Sequence, residues 1–462
     1  ESVKILMGQL ASVAGTASGG GVVKRVLESQ PLLESFGNAK TVRNDNSSRF
    51  GKYTQLEFSM DSEEAELKKT AALVGSRCRT YLLEKSRVVN QAEGERTYHC
   101  FYGVAKKKGS TCLPGFVMEG GVDLGKLEAF RYTKDSDLLT TKIEGVPDED
   151  RHTRTWDALA LVGVDLADRD GLERLLGAIV LLGELEFEGG SSDEKCNLSG
   201  DNAEENLKTA SVALGVSPEN LQNALTERTM RARNDVYKVP LDATKASDAR
   251  DALAKEIYVR AFDWVVANIN ASTSFEGGGP VGGVNGAGPQ VKVVGLLDIF
   301  GFESFKINRF EQLCINYTNE KLQQKFTIDL FKTVQQEYDD ERVPWSHVAF
   351  PDNAAVLALI DGRMGVIDVL NEECVRPRGS DEGFVSKLTT LHAGTKDDPN
   401  PRFQPSKLNK ILFTINHYAG PVAYTATSWL ERNNDTLPED LKGCAQGSNF
   451  ALLSQLFAAK PE

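Results

Sequence analysis

Apolar residues recur every three or four positions over most of this chain, and that spacing predicts helices. Val3, Leu6, Met7, Leu10 and Val13 mark a first helix, in which Glu1 already reads as a helical residue. A second helix follows the glycine-rich GTASGGG and runs to about Phe36. YTQLEF then alternates apolar and polar positions, the period of a strand. Residues 62–270 read as mostly helical, with LERLLGAIVLLGELEF and ARDALAKEIYVRAFDWVVANI carrying the clearest stripes. EGGGPVGGVNGAGPQ (276–290) breaks all periodicity. After it, Val291, Val293, Val294, Leu296, Leu297 and Ile299 form a nearly continuous apolar run, which predicts a parallel strand covered on both faces. A long helix from Phe310 to about Asp340 is next, with Leu313, Tyr317, Leu322, Phe326, Leu330, Val334 and Tyr338 along one side. At 1.5 Å per residue it would reach roughly 45 Å. Pro344 and Trp345 stand in the loop beyond it.

Composition narrows the class. The chain has 462 residues, 40% hydrophobic and 26% charged, which suits a large globular protein of two or more subdomains in the cytoplasm. A net charge of -13 argues against unspecific binding to nucleic acid or to anionic membranes. The seven cysteines are scattered and odd in number, a pattern of reduced thiols. The five histidines stand apart without HExxH, so no structural zinc is expected. No apolar run approaches the ~20 residues of a membrane span, and no signal peptide is apparent.

Two stretches carry candidate chemistry. The apolar run ends in DIFGFE, an aspartate at the tip of a buried strand with a glycine close behind, where doubly wound folds place phosphate and magnesium contacts. NDNSSRFGK (44–52) is too polar for a core strand and is crowded with amides and hydroxyls. The glycine-rich 276–290 stretch is not a dinucleotide fingerprint, because a helix precedes it and a strand follows, the reverse of what that motif needs.

NDNSSRFGK, LLDIFGFESFKINRFEQLCINYTNEKLQQKF, YLLEKSRV, ARDALAKEIYVRAFDWVV and HYAGPVAY together resemble a myosin motor domain, in the order of that family and over essentially the whole chain. The resemblance implies an α/β fold, a P-loop NTPase-like mixed central sheet (incomplete here) with large helical actin-binding subdomains. The parts would be residues 1–60, nucleotide core with switch I; 61–290, upper actin-binding subdomain; 291–345, switch II strand, relay helix and relay loop; and 346–462, lower actin-binding subdomain. It implies hydrolysis of ATP with Mg²⁺, coupled to binding of the actin filament.

By the same resemblance, Ser48 coordinates Mg²⁺ and Asp298 stands behind it. Ser47 bridges the γ-phosphate and the attacking water, Asn44 contacts the phosphates, Asn46 belongs to the same nucleotide-binding switch I, and the Gly301 amide bonds the γ-phosphate. Arg49 and Glu303 pair when the switches close. Phosphoryl transfer is mostly positioning and charge neutralisation, which suits this residue set. On the actin side, residues 353–391 resemble the lower helix–loop–helix, tipped by Arg376, Pro377 and Arg378. Arg376 stands where the family commonly has a bulky apolar residue, so an electrostatic contact is expected. Asp235, in RNDVYKVPLD upstream of DALAK, matches an acidic or phosphorylatable actin-loop position. Lys106–Lys108 read as a solvated basic run.

No G-x-x-x-x-G-K-[ST] occurs in the chain. The resemblance places that phosphate loop just before Glu1, and a converter and a neck binding light chains or calmodulin after Glu462, so the sequence reads as truncated. An alternative stays open: a non-enzymatic actin-binding relative that has lost hydrolysis. A switch-type GTPase lacks support, since no N-K-x-D tetrapeptide is present. Pro421, within HYAGPVAY, has no explanation at this level.

Overall fold

The computed structural model describes residues 2–14, 20–59, 72–105, 130–134, 142–191, 194–232, 235–275, 291–350, 352–395, 397–433 and 437–458. The glycine-rich 276–290 stretch, Lys106–Lys108 and Arg233 lie outside them, as do the side chains of residues 231–235. The chain divides into two compact units, residues 1–299 with 437–462, and residues 300–436.

The first unit opens with α1 (Ser2–Ala14) and α2 (Gly20–Gly37). Two short pairing segments follow, β1 (Asn38–Ala39) and β2 (Ser47–Ser48), then β3 (Gly51–Ser59) and β4 (Ala72–Tyr81). Next come α3 (His99–Ala105), α4 (Asp148–Leu161) and α5 (Leu166–Leu182). β5 (Glu186–Glu188) and β6 (Asn197–Ser199) form a small ribbon ahead of α6 (Ala203–Leu214) and α7 (Pro218–Thr226). The β7 (Glu227–Ala232) and β8 (Asp235–Pro240) hairpin leads into α8 (Ala243–Thr273), and β9 (Val291–Asp298) closes this stretch.

The core gathers around α8, whose Leu253, Ile257, Tyr258, Phe262, Val265 and Ile269 are buried among α2, α5 and residues 441–457. These are the stripe positions of ARDALAKEIYVRAFDWVVANI. Asp242 caps α8 by accepting from the Lys245 amide (3.0 Å), one of the four N–H groups a helix start leaves without partners. Asn270 ties α8 to β4, donating to the Cys78 carbonyl (2.8 Å) and accepting from its amide (2.7 Å).

The sheet has the order β4-β3-β9, and both pairings are antiparallel. The expected parallel, doubly covered β9 is therefore corrected. Among the described strands β9 lies at the sheet edge, and of its apolar side chains only Leu296 is buried, while Val293, Val294 and Leu297 are 38%, 38% and 44% exposed. A continuous apolar run reports a strand that could be covered, not its direction or its neighbours. β4 is a strand within residues 62–270, where helices still make up most of the described residues. Its polar SRCR reads poorly as a strand, yet alternate positions are buried against β3 and α8.

The second unit begins with DIFGFE's last four residues and continues as α9 (Phe310–Thr327), a π-helical segment (Ile328–Thr333) and α10 (Val334–Asp340). The predicted long helix is thus continuous in path but loosened by one wider turn, a feature hydrophobic spacing cannot reveal. α11 (Ala354–Asp361), α12 (Val366–Val375) and α13 (Asp381–His392) follow, then β10 (Phe403–Pro405), β11 (Leu412–His417), β12 (Gly420–Thr425) and α14 (Trp429–Asn433). Trp429, Phe384, Phe403, Phe413 and Tyr424 form an aromatic core between the helices and this three-stranded sheet. α15 (Glu439–Gln446) and α16 (Ala451–Phe457) belong to the first unit.

Pro421 now has a physical account. β12 is an edge strand, and Pro421 faces Asn416, whose amide donates to Arg402 on the β10 side (3.0 Å). This pair therefore exchanges no hydrogen bonds with the strand opposite, and proline's missing N–H falls on the open edge.

Candidate functional site

The segment between β1 and β3 is a surface loop with a rigid frame. Asn44 builds an Asx turn, its Oδ1 accepting from the Asn46 amide (2.9 Å), which leaves the exposed Nδ2 donors turned outward. Asn46 anchors the loop instead. Its side-chain Nδ2 donates to Glu144 (3.1 Å) and Glu34 (3.4 Å), and its Oδ1 accepts from Asn38 (3.0 Å) and faces His99 Nε2 (3.2 Å). Burial, with the positive charges of Arg151 and Arg96, holds the His99 pKa well below the usual histidine value, so its ring stays neutral.

Ser47 and Ser48 form β2, in register with Ala39 and Asn38. The Ser48 hydroxyl donates to the Phe50 carbonyl (2.9 Å) and is exposed, which leaves its lone pairs toward solvent. Ser47 Oγ accepts from Arg49 Nη1 (3.2 Å), so its own proton stays available to an anion or a water. Hydroxyl oxygens are hard donors of the kind magnesium takes, and magnesium completes its shell with waters and substrate phosphates rather than an all-protein cage. Among the described residues no group of three or more His, Cys, Asp or Glu could hold a metal by itself. The residues present fit a magnesium–phosphate ligand.

Arg49 is fixed at both levels of the chain. Its amide donates to Gly37 O (2.8 Å), its carbonyl accepts from the Glu84 amide (3.0 Å), and its Nε donates to Glu84 Oε2 (2.6 Å). Glu84 also receives Arg87, through Nε (2.6 Å) and Nη2 (3.3 Å). Burial would push the Glu84 carboxyl up, but the Arg87 and Arg49 guanidiniums outweigh it and hold it below the usual range. Sequence alone assigns Glu84 no role; it lies within YLLEKSRV, with no physical signal of its own.

Asp298 closes β9 directly across from Lys52, and their side chains lie 3.5 Å apart. Because β3 begins and β9 ends at this point, the Ser47–Arg49 segment and Asp298 emerge at the same end of one sheet. Gly301 and Glu303 follow within the second unit. A Cβ at Gly301 would meet no heavy atom within 4 Å, so nothing in the protein's own packing demands glycine there. Glu303 is clamped by Asn316, which accepts from its amide and donates to its carbonyl, both at 2.8 Å.

Of the expected actin-side residues, three share one turn at the surface. Arg376, Pro377 and Arg378 form the exposed turn between α12 and α13, with Arg378 at φ 60°. The Arg376 guanidinium leans on the buried Glu373 (3.4 Å). Beside it Val375 is 83% exposed, an apolar group that a charge-centred reading of this tip passed over. Asp235 opens β8 opposite Ala232, at the end of the β7–β8 hairpin. Trp345 is half-buried beyond α10, its Nε1 donating to Asp339 (3.1 Å) and its ring edge-on to Tyr338 (5.5 Å).

A mixed helix-and-strand chain brings a hydroxyl-rich loop and an acidic strand tip to one sheet end. Residues 1–462 match the family model described as "Myosin head (motor domain)". The chain is 39% identical to unconventional myosin-Va of Homo sapiens over 456 residues, 99% of this chain and 23% of that protein. It is 38% identical to protein OPAQUE1 of Zea mays, over all of this chain and 28% of that protein. Myosin-7 of Arabidopsis thaliana is likewise 38% identical, over all of this chain and 25% of its own length. The chain thus spans about a quarter of the length of the curated relatives it matches. It belongs to the myosin motor-domain family. Among the described residues no helix is long and apolar enough to cross a membrane.

Proposed function

We propose that this chain is the switch-bearing and actin-binding part of an ATP-driven motor that moves on the actin filament. The observation that carries this reading is the shared sheet end at which Ser47, Ser48 and Asp298 present oxygen ligands while Glu84 fixes Arg49. The finer architecture, a P-loop NTPase-like central sheet, belongs to the same proposal.

In this reading Ser48 and Asp298 would hold magnesium, directly and behind its waters, while Asn44 and the Gly301 amide would donate to phosphate oxygens. Bound MgATP supplies the electrophilic γ-phosphorus and a cation that neutralises charge on the departing diphosphate. Ser47 orients the attacking water through its free hydroxyl proton. Arg49 and Glu303 shut water out around it by pairing, and their planar forks suit a pair that forms and breaks. Val375, Arg376, Pro377 and Arg378, together with Asp235, would meet actin. Light chains or calmodulin would bind a neck outside this chain, and the location would be the cytoplasmic actin cytoskeleton.

The full-length product should hydrolyse MgATP, and actin should accelerate it. A full-length protein that binds actin but turns over no ATP would leave the second reading, a non-enzymatic actin-binding relative. No G-x-x-x-x-G-K-[ST] occurs in these residues, so the isolated 462-residue chain should bind MgATP weakly, since each missing charge-assisted phosphate contact is worth about 1.5–3 kcal/mol. Low-micromolar affinity in a calorimetric titration would contradict that.

A further inference from the structure

One chain of buried hydrogen bonds in the second unit joins the DIFGFE segment to the head of α11. It starts at Asn316, which clamps the Glu303 backbone and also donates to Tyr424 Oη (2.8 Å). Tyr424 Oη lies 2.8 Å from His417 Nε2, and His417 Nδ1 lies 3.0 Å from Glu320 Oε1. Glu320 Oε1 also accepts from the Tyr418 amide (2.9 Å). Asn353 Nδ2 then bonds both the Glu320 carbonyl (2.8 Å) and its carboxylate. Asn316, Glu320, Tyr424, His417 and Asn353 are all buried.

Two details set this chain apart from ordinary core satisfaction. With the Nδ1–H tautomer of His417, every donation runs one way: Asn316 to Tyr424, Tyr424 to His417, His417 to Glu320. Burial pushes the Glu320 carboxyl up, but the hydrogen bonds from His417, Asn353 and the Tyr418 amide hold it below the usual range, so it terminates the chain as an acceptor. The second detail is Asn353 itself. It occupies the N-cap position of α11 yet makes no capping bond, and Asp352 serves the Ala354 amide instead (2.7 Å). An asparagine at a helix start normally stabilises that helix; here its amide is given to Glu320. Phe302, between Gly301 and Glu303, also rests edge-on against the His417 ring (5.3 Å).

We propose that Tyr424 and His417 are positioning residues that make the placement of the Glu303 backbone depend on the placement of α11, and the reverse. This rests on the motor reading, in which Glu303 closes the ATP site and α11–α13 face actin. The coupling is mutual, because each end gains its full set of bonds only when the other is in register.

The test uses the full-length protein. Tyr424→Phe deletes one oxygen and keeps the shape; it should lower the maximal actin-activated rate by about fivefold or more, while the KM for ATP stays within about twofold. His417→Gln offers a donor and an acceptor on one terminal group and should keep most of the rate, whereas His417→Leu should match Tyr424→Phe. Combining Tyr424→Phe with Asn353→Ala should cost little more than either alone. A second readout needs no nucleotide or actin: Asn316→Ala and Tyr424→Phe should each speed hydrogen exchange of the 354–361 amides. If wild-type protein shows no ATPase, the motor reading fails, and unresponsive exchange at 354–361 would sink the chain separately. Additive losses in the double variant, or equal performance of His417→Leu and His417→Gln, would also overturn it.

Discussion

Glu84 gives the sharpest local test of the nucleotide-side geometry. Its carboxylate accepts from Arg49 Nε and Arg87 Nε at 2.6 Å each and from Arg87 Nη2 at 3.3 Å, with its side chain 22% exposed. Glu84→Gln keeps the volume but puts an N–H₂ where one acceptor stood, facing guanidinium donors. A charge-assisted bond contributes about 1.5–3 kcal/mol, and stripping one partner from a buried pair costs about 3–5 kcal/mol. The lower part of that range applies here. Arg87 keeps Glu95 (2.9 Å) and the Arg96 carbonyl (3.1 Å), and Arg49 keeps Ser47 (3.2 Å). The expected loss is therefore about 3 kcal/mol, confined to this corner.

Native-state hydrogen exchange reads it directly, since the Glu84 amide donates to Arg49 O and the Arg49 amide to Gly37 O. Both should exchange about a hundredfold faster in Glu84→Gln at neutral pH, the equivalent of that energy. The pH dependence has a fixed sign. A carboxyl held low in the folded state stabilises it above the unfolded value, about 4.3, and loses that contribution as pH falls through the folded value. The gap between wild type and Glu84→Gln should thus be full at pH 7 and close progressively below about pH 4.3. Equal protection at pH 7, or a gap that persists in acid, would refute the placement of Glu84 as an ionised acceptor between two arginines.

Other expectations can be checked in the full-length protein. Arg49→Glu and Glu303→Arg should each slow single-turnover hydrolysis by about 10²–10³-fold, and the double swap should recover much of it; additive losses would mean the two do not work as a pair. Trp345 emission, isolated by replacing Trp156, Trp264 and Trp429 with Phe, should differ between nucleotide-free, ADP and transition-state-analogue states, because Tyr338 and Asp339 on α10 form its surroundings; one unchanged spectrum would rule it out as a reporter. Arg376→Ala should flatten the salt dependence of actin binding, whereas Val375→Ser should weaken binding at every salt concentration. Asp235→Ala should lower actin-activated turnover and spare basal turnover; parallel losses would make the β7–β8 hairpin a folding element.

Much of this fold could be read from residue spacing, and its limits are instructive. The α8 stripe names its buried face because burial on a helix has a period of its own, and YTQLEF gives β3 for the same reason. β9 shows where pattern stops. Val291–Ile299 records apolar capacity, but the direction of the neighbouring strand is a property of topology, and here β3 runs opposite. The π-helical turn at Ile328–Thr333 leaves no periodic trace either. At the site, NDNSSRFGK and DIFGFE are local and were visible. Glu84 and Arg49 are 35 positions apart, and Asn316 and Tyr424 are 108 apart, so these contacts come from folding and from no motif.

The two units use polar groups in opposite ways, and the contrast bears on how such a protein could work. In the first, Asn44, Ser47 and Ser48 each have one hydrogen-bonding function anchored and another left outward at the surface. That is how a site waits for a ligand: the frame is settled beforehand, and binding meets little ordering cost. In the second, Asn316, Tyr424, His417 and Glu320 turn their strong bonds inward, and no atom of these four residues is among the unsatisfied buried groups. A saturated network offers nothing to a ligand, but it resists partial displacement, since moving one member strands a buried partner at about 1–3 kcal/mol. It therefore favours discrete arrangements over graded ones, which is the property a transmitting element needs. In the proposed motor, outward-facing groups such as Ser47 and Ser48 would serve capture of ligand and the saturated network around His417 would serve transmission, a division their hydrogen bonds support.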